Sequence, residues 1–68
     1  MSSLQIWVNG QQQTTEARSI AELCVELGYG DQKIATAVNS NFIPVAQRAD
    51  IMLAEGDRVE ILTPRQGG

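Results

Sequence analysis

Sixty-eight residues, 43% of them hydrophobic and 19% charged, describe a chain of globular composition and the length of one domain. Eight acidic residues against five basic ones leave a net charge of −3, with no histidine and a single cysteine, Cys24. These counts exclude an internal disulfide, an imidazole base and a His- or thiolate-rich metal cage, so packing alone must hold a fold that buries only about 60% of its chain's surface.

The chain opens with Leu4-Gln5-Ile6-Trp7-Val8, whose apolar and polar residues alternate with the period of a half-buried strand. Asn9-Gly10 follows, the pair best suited to a type I′ hairpin turn, because both central positions need positive φ. Residues 11–15 are polar, including three glutamines, and are expected to return as an edge strand. Ser19-Ile20-Ala21-Glu22 reads as a capping box, with the serine hydroxyl on the Glu22 amide and the glutamate reaching back to the Ser19 amide. Ile20, Leu23, Cys24 and Leu27 then share one helical face, and Gly28 supplies the left-handed residue that ends the helix.

Residues 33–39, small and β-branched, predict a third strand, and Asn39-Ser40-Asn41 a turn. Phe42-Ile43 is a short extended piece stopped by Pro44, whose missing N–H places it at an edge. Ile51 and Leu53 have the spacing of a short strand, although Arg48, Asp50 and Glu55 break any longer pattern. Glu55-Gly56-Asp57 is a turn, and residues 58–63 form the last strand, with Val59 and Ile61 on one face and Glu60 and Leu62 on the other. Strands around one helix give an α+β domain. The first and last strands are the most apolar and are expected centrally, parallel if adjacent. That arrangement is a β-grasp, the ubiquitin-like mixed sheet with one main helix on one face. The expected boundaries are 1–63 for the domain and 64–68 for a flexible tail.

Little in this domain offers chemistry of its own. Without histidine no Ser/His/Asp or Cys/His constellation exists. Glu22 and Glu26 lie four apart on the helix, opposite its apolar stripe, and read as a solvated exterior rather than a catalytic pair. Cys24 shares the apolar face and reads as a packing residue, against the rival of a persulfide or crosslinking thiol. Gly28-Tyr29-Gly30 follows a helix instead of preceding one, which suits a C-cap and not a phosphate loop. Trp7, Tyr29 and Phe42 are too dispersed for a base-stacking platform; Trp7, beside Gln5 on the outer face, reads as partly buried rather than as a partner contact. Arg18, Lys33, Arg48, Arg58 and Arg65 form no stripe, so nucleic acid is not an expected partner. Nor is a membrane, since no apolar run approaches the ~20 residues of a span and no signal peptide follows Met1. One unpaired cysteine fits a reducing compartment, and the expected address is cytoplasmic. The chain is not expected to be an enzyme.

The end of the sequence is its most informative part. Thr63-Pro64-Arg65-Gln66-Gly67-Gly68 closes on two residues without Cβ, a thin strip able to thread a narrow channel and place a carboxylate inside another protein. A frayed, incidental Gly-rich end is the competing reading. Three stretches carry a resemblance over nearly the whole chain from Leu4 onward. They are Ile6-Trp7-Val8-Asn9-Gly10, then Ala37-Val38-Asn39 with Ile43-Pro44, then Gly56-Asp57-Arg58-Val59-Glu60-Ile61-Leu62 through Gly67-Gly68. In their order and spacing the chain resembles the ThiS family, the ubiquitin-like sulfur carriers of thiazole (thiamin) biosynthesis. One departure stands out: the position after Pro44, commonly arginine in such proteins, is Val45, with Arg48 only later.

The resemblance implies a carrier with no bound cofactor. An E1-like adenylating enzyme of the ThiF type would use ATP to activate the Gly68 carboxylate, and a persulfide sulfur donor would convert it to a thiocarboxylate. A thiazole synthase of the ThiG type would then take the sulfur. Gly68 is thus the reacting group, Gly67 the spacer in the partner's channel, and Gln66 and Arg65 the rest of the tail. Leu62, with Arg65, is the expected partner surface. The small subunit of molybdopterin synthase uses the same chemistry, usually in somewhat longer chains. A ubiquitin-like modifier conjugated to lysines and a plain binding module with an incidental tail are the other readings.

Overall fold

Alternating side chains and a two-residue turn build the first element pair. In the computed structural model, which describes residues 3–30 and 32–63, β1 (Leu4–Val8) and β2 (Gln11–Thr15) pair antiparallel with Val8 opposite Gln11. The turn between them has φ of 51° at Asn9 and 84° at Gly10, the double positive φ of a type I′ turn. A second such turn, at Asn39 (φ 52°) and Ser40 (φ 75°), joins β3 (Ala35–Val38) to β4 (Asn41–Ile43). Type I′ geometry is favoured here because its twist matches that of the strands it connects.

Helix α1 (Ile20–Glu26) starts and stops on local chemistry. Ser19 Oγ accepts the Glu22 amide at 3.1 Å, as the capping box requires. The Glu22 carboxylate, however, takes the Arg18 amide at 2.7 Å, one residue upstream of the expected partner. Arg18 and Ser19 are held extended beside Met52 and Leu53, which presents the Arg18 amide to α1. At the other end the Gly28 amide bonds the Val25 carbonyl and the Tyr29 amide bonds the Cys24 carbonyl, with Gly28 at φ 91°. These are the two bonds of a Schellman motif, and they satisfy carbonyls the helix leaves open.

The five strands order as β2-β1-β5-β3-β4, with β5 (Arg58–Leu62) in the centre. β1 and β5 run parallel and every other pairing is antiparallel, as expected from the positions of the apolar strands. The third strand is shorter than the 33–39 expected, and the β4 edge stops at Ile43 before Pro44, which leads into a 3-10 turn at Val45–Gln47. Ile51 and Leu53 do not form a strand. Only a one-residue bridge, Met52 to Ser19, survives there, because this segment spends its backbone groups on Arg18 and Ile20 beside the helix start.

One face of the sheet contributes Ile6, Val8, Val38, Ile43, Val59 and Ile61 to the core. Ala17 ahead of the helix, Ile20, Leu23 and Cys24 from α1, and Leu53 from the late loop complete it. The result is the mixed-sheet β-grasp that the sequence predicts. The other sheet face carries Gln5, Trp7, Arg58, Glu60, Leu62 and Phe42 toward solvent. No helix among the described residues is long and apolar enough to cross a membrane. The proposed 64–68 tail lies outside the described residues.

Candidate functional site

Of the residues singled out from sequence, Arg65, Gln66, Gly67 and Gly68 lie outside the described residues, and Leu62 lies at the end of β5. The site is therefore defined by the strand from which the last residues depart. β5 is clamped along both edges by the two turn asparagines. At its start, the Asn39 amide bonds the Arg58 carbonyl at 2.7 Å and Asn39 Oδ1 accepts the Arg58 amide at 3.0 Å. Asn39 Nδ2 also donates to Asp57 Oδ1 at 3.1 Å. Toward its end, Asn9 Nδ2 donates to the Ile61 carbonyl at 3.1 Å and Asn9 Oδ1 accepts the Ile61 amide at 2.8 Å. Sequence reading assigned both asparagines to turns and missed these clamps, because a local turn signal carries no trace of a partner far along the chain.

Beside this strand end the outer sheet face is apolar. Leu62 is 67% exposed and Phe42 66% exposed, and strand register sets Ala35 opposite Leu62 and Ala37 opposite both Phe42 and Glu60. Ala35, Ala37, Phe42, Glu60 and Leu62 line a shallow depression, and a neighbouring hollow is bounded by Lys33, Ile34, Ala35, Leu62 and Thr63. Small alanines between two large exposed side chains leave room for a partner's side chain. Covering a leucine or phenylalanine fully is worth about 1.5–3 kcal/mol. From sequence, Phe42 was placed in a short extended piece and among three aromatics too dispersed to stack bases, since Phe42-Ile43 is too short a run to fix a face. Trp7, 40% exposed, stands on the same face over a hollow bounded by Gly10, Arg58 and Glu60.

The remaining candidates are structural. Cys24 is 6% exposed within the core, and burial raises its pKa above the ordinary 9.0, an effect that the Arg48 charge partly opposes. It is a protonated packing thiol at neutral pH. Glu22 caps α1 and the Glu26 carboxylate accepts the Thr15 hydroxyl, so the two acidic groups serve separate bonds. Gly28-Tyr29-Gly30 is the helix C-cap already described. Val45, in the place where arginine was expected, is exposed, while Arg48 turns inward to Thr36 and Ile34. Among the described residues no three acidic or sulfur side chains gather as a metal site.

Comparison with known proteins follows the same line. A model of the ThiS family matches residues 6–68, a span that includes the last two glycines. The sulfur carrier protein ThiS of Thermus thermophilus is 29% identical over 63 residues, covering 93% of this chain and 98% of that relative. A crystal structure of the thiamine biosynthesis protein ThiS from Geobacter metallireducens superposes with a TM-score of 0.78 at 25% identity, covering 96% of this chain and all of that one.

Proposed function

The chain belongs to the ThiS family of small sulfur carriers, proteins that are not themselves enzymes, and on this premise we propose that Gly68 carries the sulfur on its carboxyl carbon for thiazole formation in thiamin biosynthesis. The observation that carries this reading is the family match, which runs from β1 through Gly68 without leaving out the final glycines. The fold supports it by what it withholds. The domain's one thiol is buried and protonated, so sulfur is better held elsewhere than on Cys24.

An α-carboxylate with a pKa of ~3.5 is ionised at neutral pH and resists nucleophiles. A ThiF-type partner overcomes this by joining the Gly68 carboxylate to the adenylyl group of ATP, with pyrophosphate leaving. The outer sulfur of a persulfide then attacks the acyl carbon and AMP departs. A second thiol cleaves the resulting S–S bond, freeing the thiocarboxylate as it forms a disulfide with the donor. A ThiG-type synthase takes the sulfur into the ring. ATP is thus the activating partner's substrate and not a cofactor of this chain. Both partners and the persulfide donor work in the cytoplasm in this scheme.

The six residues from Thr63 to Gly68 can span at most about 22 Å when extended, at roughly 3.3–3.6 Å each. That reach lets the sheet face dock outside an active site while Gly68 enters it. Gly67 and Gly68 pass a channel too narrow for side chains, and Arg65 and Gln66 line its mouth. Leu62, with Phe42 beside it, is the surface that the partner recognises. The test is intact mass after incubation with the activating enzyme, ATP and a persulfide source. A gain equal to one oxygen exchanged for sulfur, absent from a chain lacking Gly68, is the expected result. No gain, with an activating enzyme proven on another carrier, refutes the reading. Ring formation by thiazole synthase, and none of molybdopterin by its synthase, assigns the pathway.

A further inference from the structure

β1 and β5 form a parallel ladder whose bonds alternate regularly: the Trp7 amide to the Asp57 carbonyl at 2.9 Å, then the Asn9 amide to the Val59 carbonyl at 2.9 Å. Continued by one rung, that ladder would place the Ile61 amide on the main-chain carbonyl of residue 9 and the Ile61 carbonyl on the amide of residue 11. The backbone cannot do this. Asn9 and Gly10, at φ 51° and 84°, turn the chain away into β2, where Gln11 is opposite Val8. The Asn9 carboxamide supplies both missing partners instead, Oδ1 for the Ile61 amide at 2.8 Å and Nδ2 for the Ile61 carbonyl at 3.1 Å. A side chain thus writes the last rung of the ladder. On the opposite edge Leu62 is held opposite Ala35 of β3, and Thr63 is the first residue past β5.

We propose that Asn9 is a positioning residue for sulfur carriage, its carboxamide fixing the end of β5 and so the point and direction from which residues 63–68 leave for a partner's active site. The inference rests on the carrier function proposed above. The Asn9 side chain bonds the main chain of Ile61, the residue before Leu62. Its effect is to keep the root of the tail from fraying, which raises the effective concentration of Gly68 at the reacting centre once the domain has docked. The side chain must therefore satisfy two demands at once. Residue 9 must tolerate φ near 50°, and it must present one donor and one acceptor to a single residue of β5. Glycine meets only the first demand; aspartate meets the first and the acceptor half of the second.

The test compares Asn9→Gly with wild type and with Ser19→Ala, which removes the helix cap and leaves β5 untouched. In Asn9→Gly, exchange of the Ile61 amide with solvent is expected to quicken about tenfold or more while Val59 stays protected. The kcat for thiocarboxylate formation is expected to fall about three- to tenfold with KM within about twofold, since docking is intact and only tail insertion suffers. Asn9→Asp, which keeps the acceptor for the Ile61 amide, is expected to lie between the two and serves as the deciding variant if Asn9→Gly does not fold. Ser19→Ala is expected to lower the melting temperature without changing kcat. Unchanged kcat in both Asn9 variants, or a loss matched by Ser19→Ala, overturns the role of Asn9 while leaving the carrier function standing. Absence of thiocarboxylate in the wild type overturns both.

Discussion

Arg48 donates through Nε to the hydroxyl of Thr36 at 3.2 Å, and Thr36, only 1% exposed, donates its own hydroxyl hydrogen bond to the Ile43 carbonyl at 3.0 Å. The guanidinium also reaches the Ile34 carbonyl through Nη2 at 2.5 Å, while the Arg48 carbonyl accepts the Ala21 amide at 3.1 Å. One residue from an irregular loop therefore joins the helix start to the β3–β4 side of the sheet. Thr36→Val keeps shape and strand preference but leaves the Arg48 Nε–H short of a partner and removes one bond to the Ile43 carbonyl. The expected loss is about 1–3 kcal/mol, large for a domain whose total stability is about 3–10 kcal/mol. Urea unfolding measures it, and a loss well under that range would mean that water replaces the hydroxyl.

Cys24 makes stability depend on alkaline pH. Burial raises its pKa in the folded state, with Arg48 opposing, so above the ordinary value of 9.0 the unfolded chain has released a proton that the folded chain still holds. Unfolding then gains from each further rise in pH. The contribution is complete below the unfolded pKa and is lost as pH climbs from there through the folded value. Cys24→Ala, which cannot titrate, should show a flatter stability curve above pH 9.0 than the wild type, at a cavity cost of about 1 kcal/mol at neutral pH. Thiol labelling under native conditions should be slow and should accelerate with denaturant. Equal alkaline slopes in the two proteins would show that another group governs that limb.

The ends of α1 offer a cleaner measure of local chemistry. A Cβ at Gly28 would meet nothing within 4 Å, so Gly28→Ala carries no clash and tests φ alone. At φ 91° the expected cost is about 1–2 kcal/mol. Ser19→Ala should cost about 1 kcal/mol through the lost bond to the Glu22 amide. The two sites sit at opposite ends of the helix, so the double variant should lose the sum to within about 0.5 kcal/mol. Thermal unfolding of the four proteins checks the additivity.

These helix signals were legible because each depends on residues a few positions apart: Ser19 with Glu22, Ile20 with Leu23 and Cys24, Gly28 after Leu27. The hairpin at Asn9-Gly10 and the faces of β5 were legible for the same reason, and their apolar character placed β1 and β5 together at the middle of the sheet. What escaped was non-local. The segment around Ile51 and Leu53 has the spacing of a strand, yet its backbone is taken by Arg18 and Ile20, which no period within the segment encodes. Arg48 looked like an interruption and is an internal strut. Asn9 and Ile61 are 52 residues apart, so the second use of a turn asparagine became visible only with the fold. The Gly67-Gly68 end was read from composition together with the family resemblance, and it lies outside the described residues.

The exposed apolar pair on the outer face near the end of β5 separates folding from recognition. Leu62 and Phe42 are each about two-thirds exposed, so their side chains contribute little to the core. Leu62→Asp and Phe42→Asp should therefore leave the urea midpoint nearly unchanged, within about 0.5 kcal/mol of the wild type. If the patch is what the activating enzyme covers, each introduces a carboxylate that must be desolvated without a partner. KM for the carrier should then rise about tenfold or more, with kcat less affected. That split is the reverse of the one expected for Asn9→Gly, where docking is intact and insertion is impaired. The two sets of variants thus assign separate parts of the same event, the face that docks and the strand end that aims. Leu62→Asp activated at the wild-type rate and KM would remove the patch from that scheme and leave recognition to the tail itself.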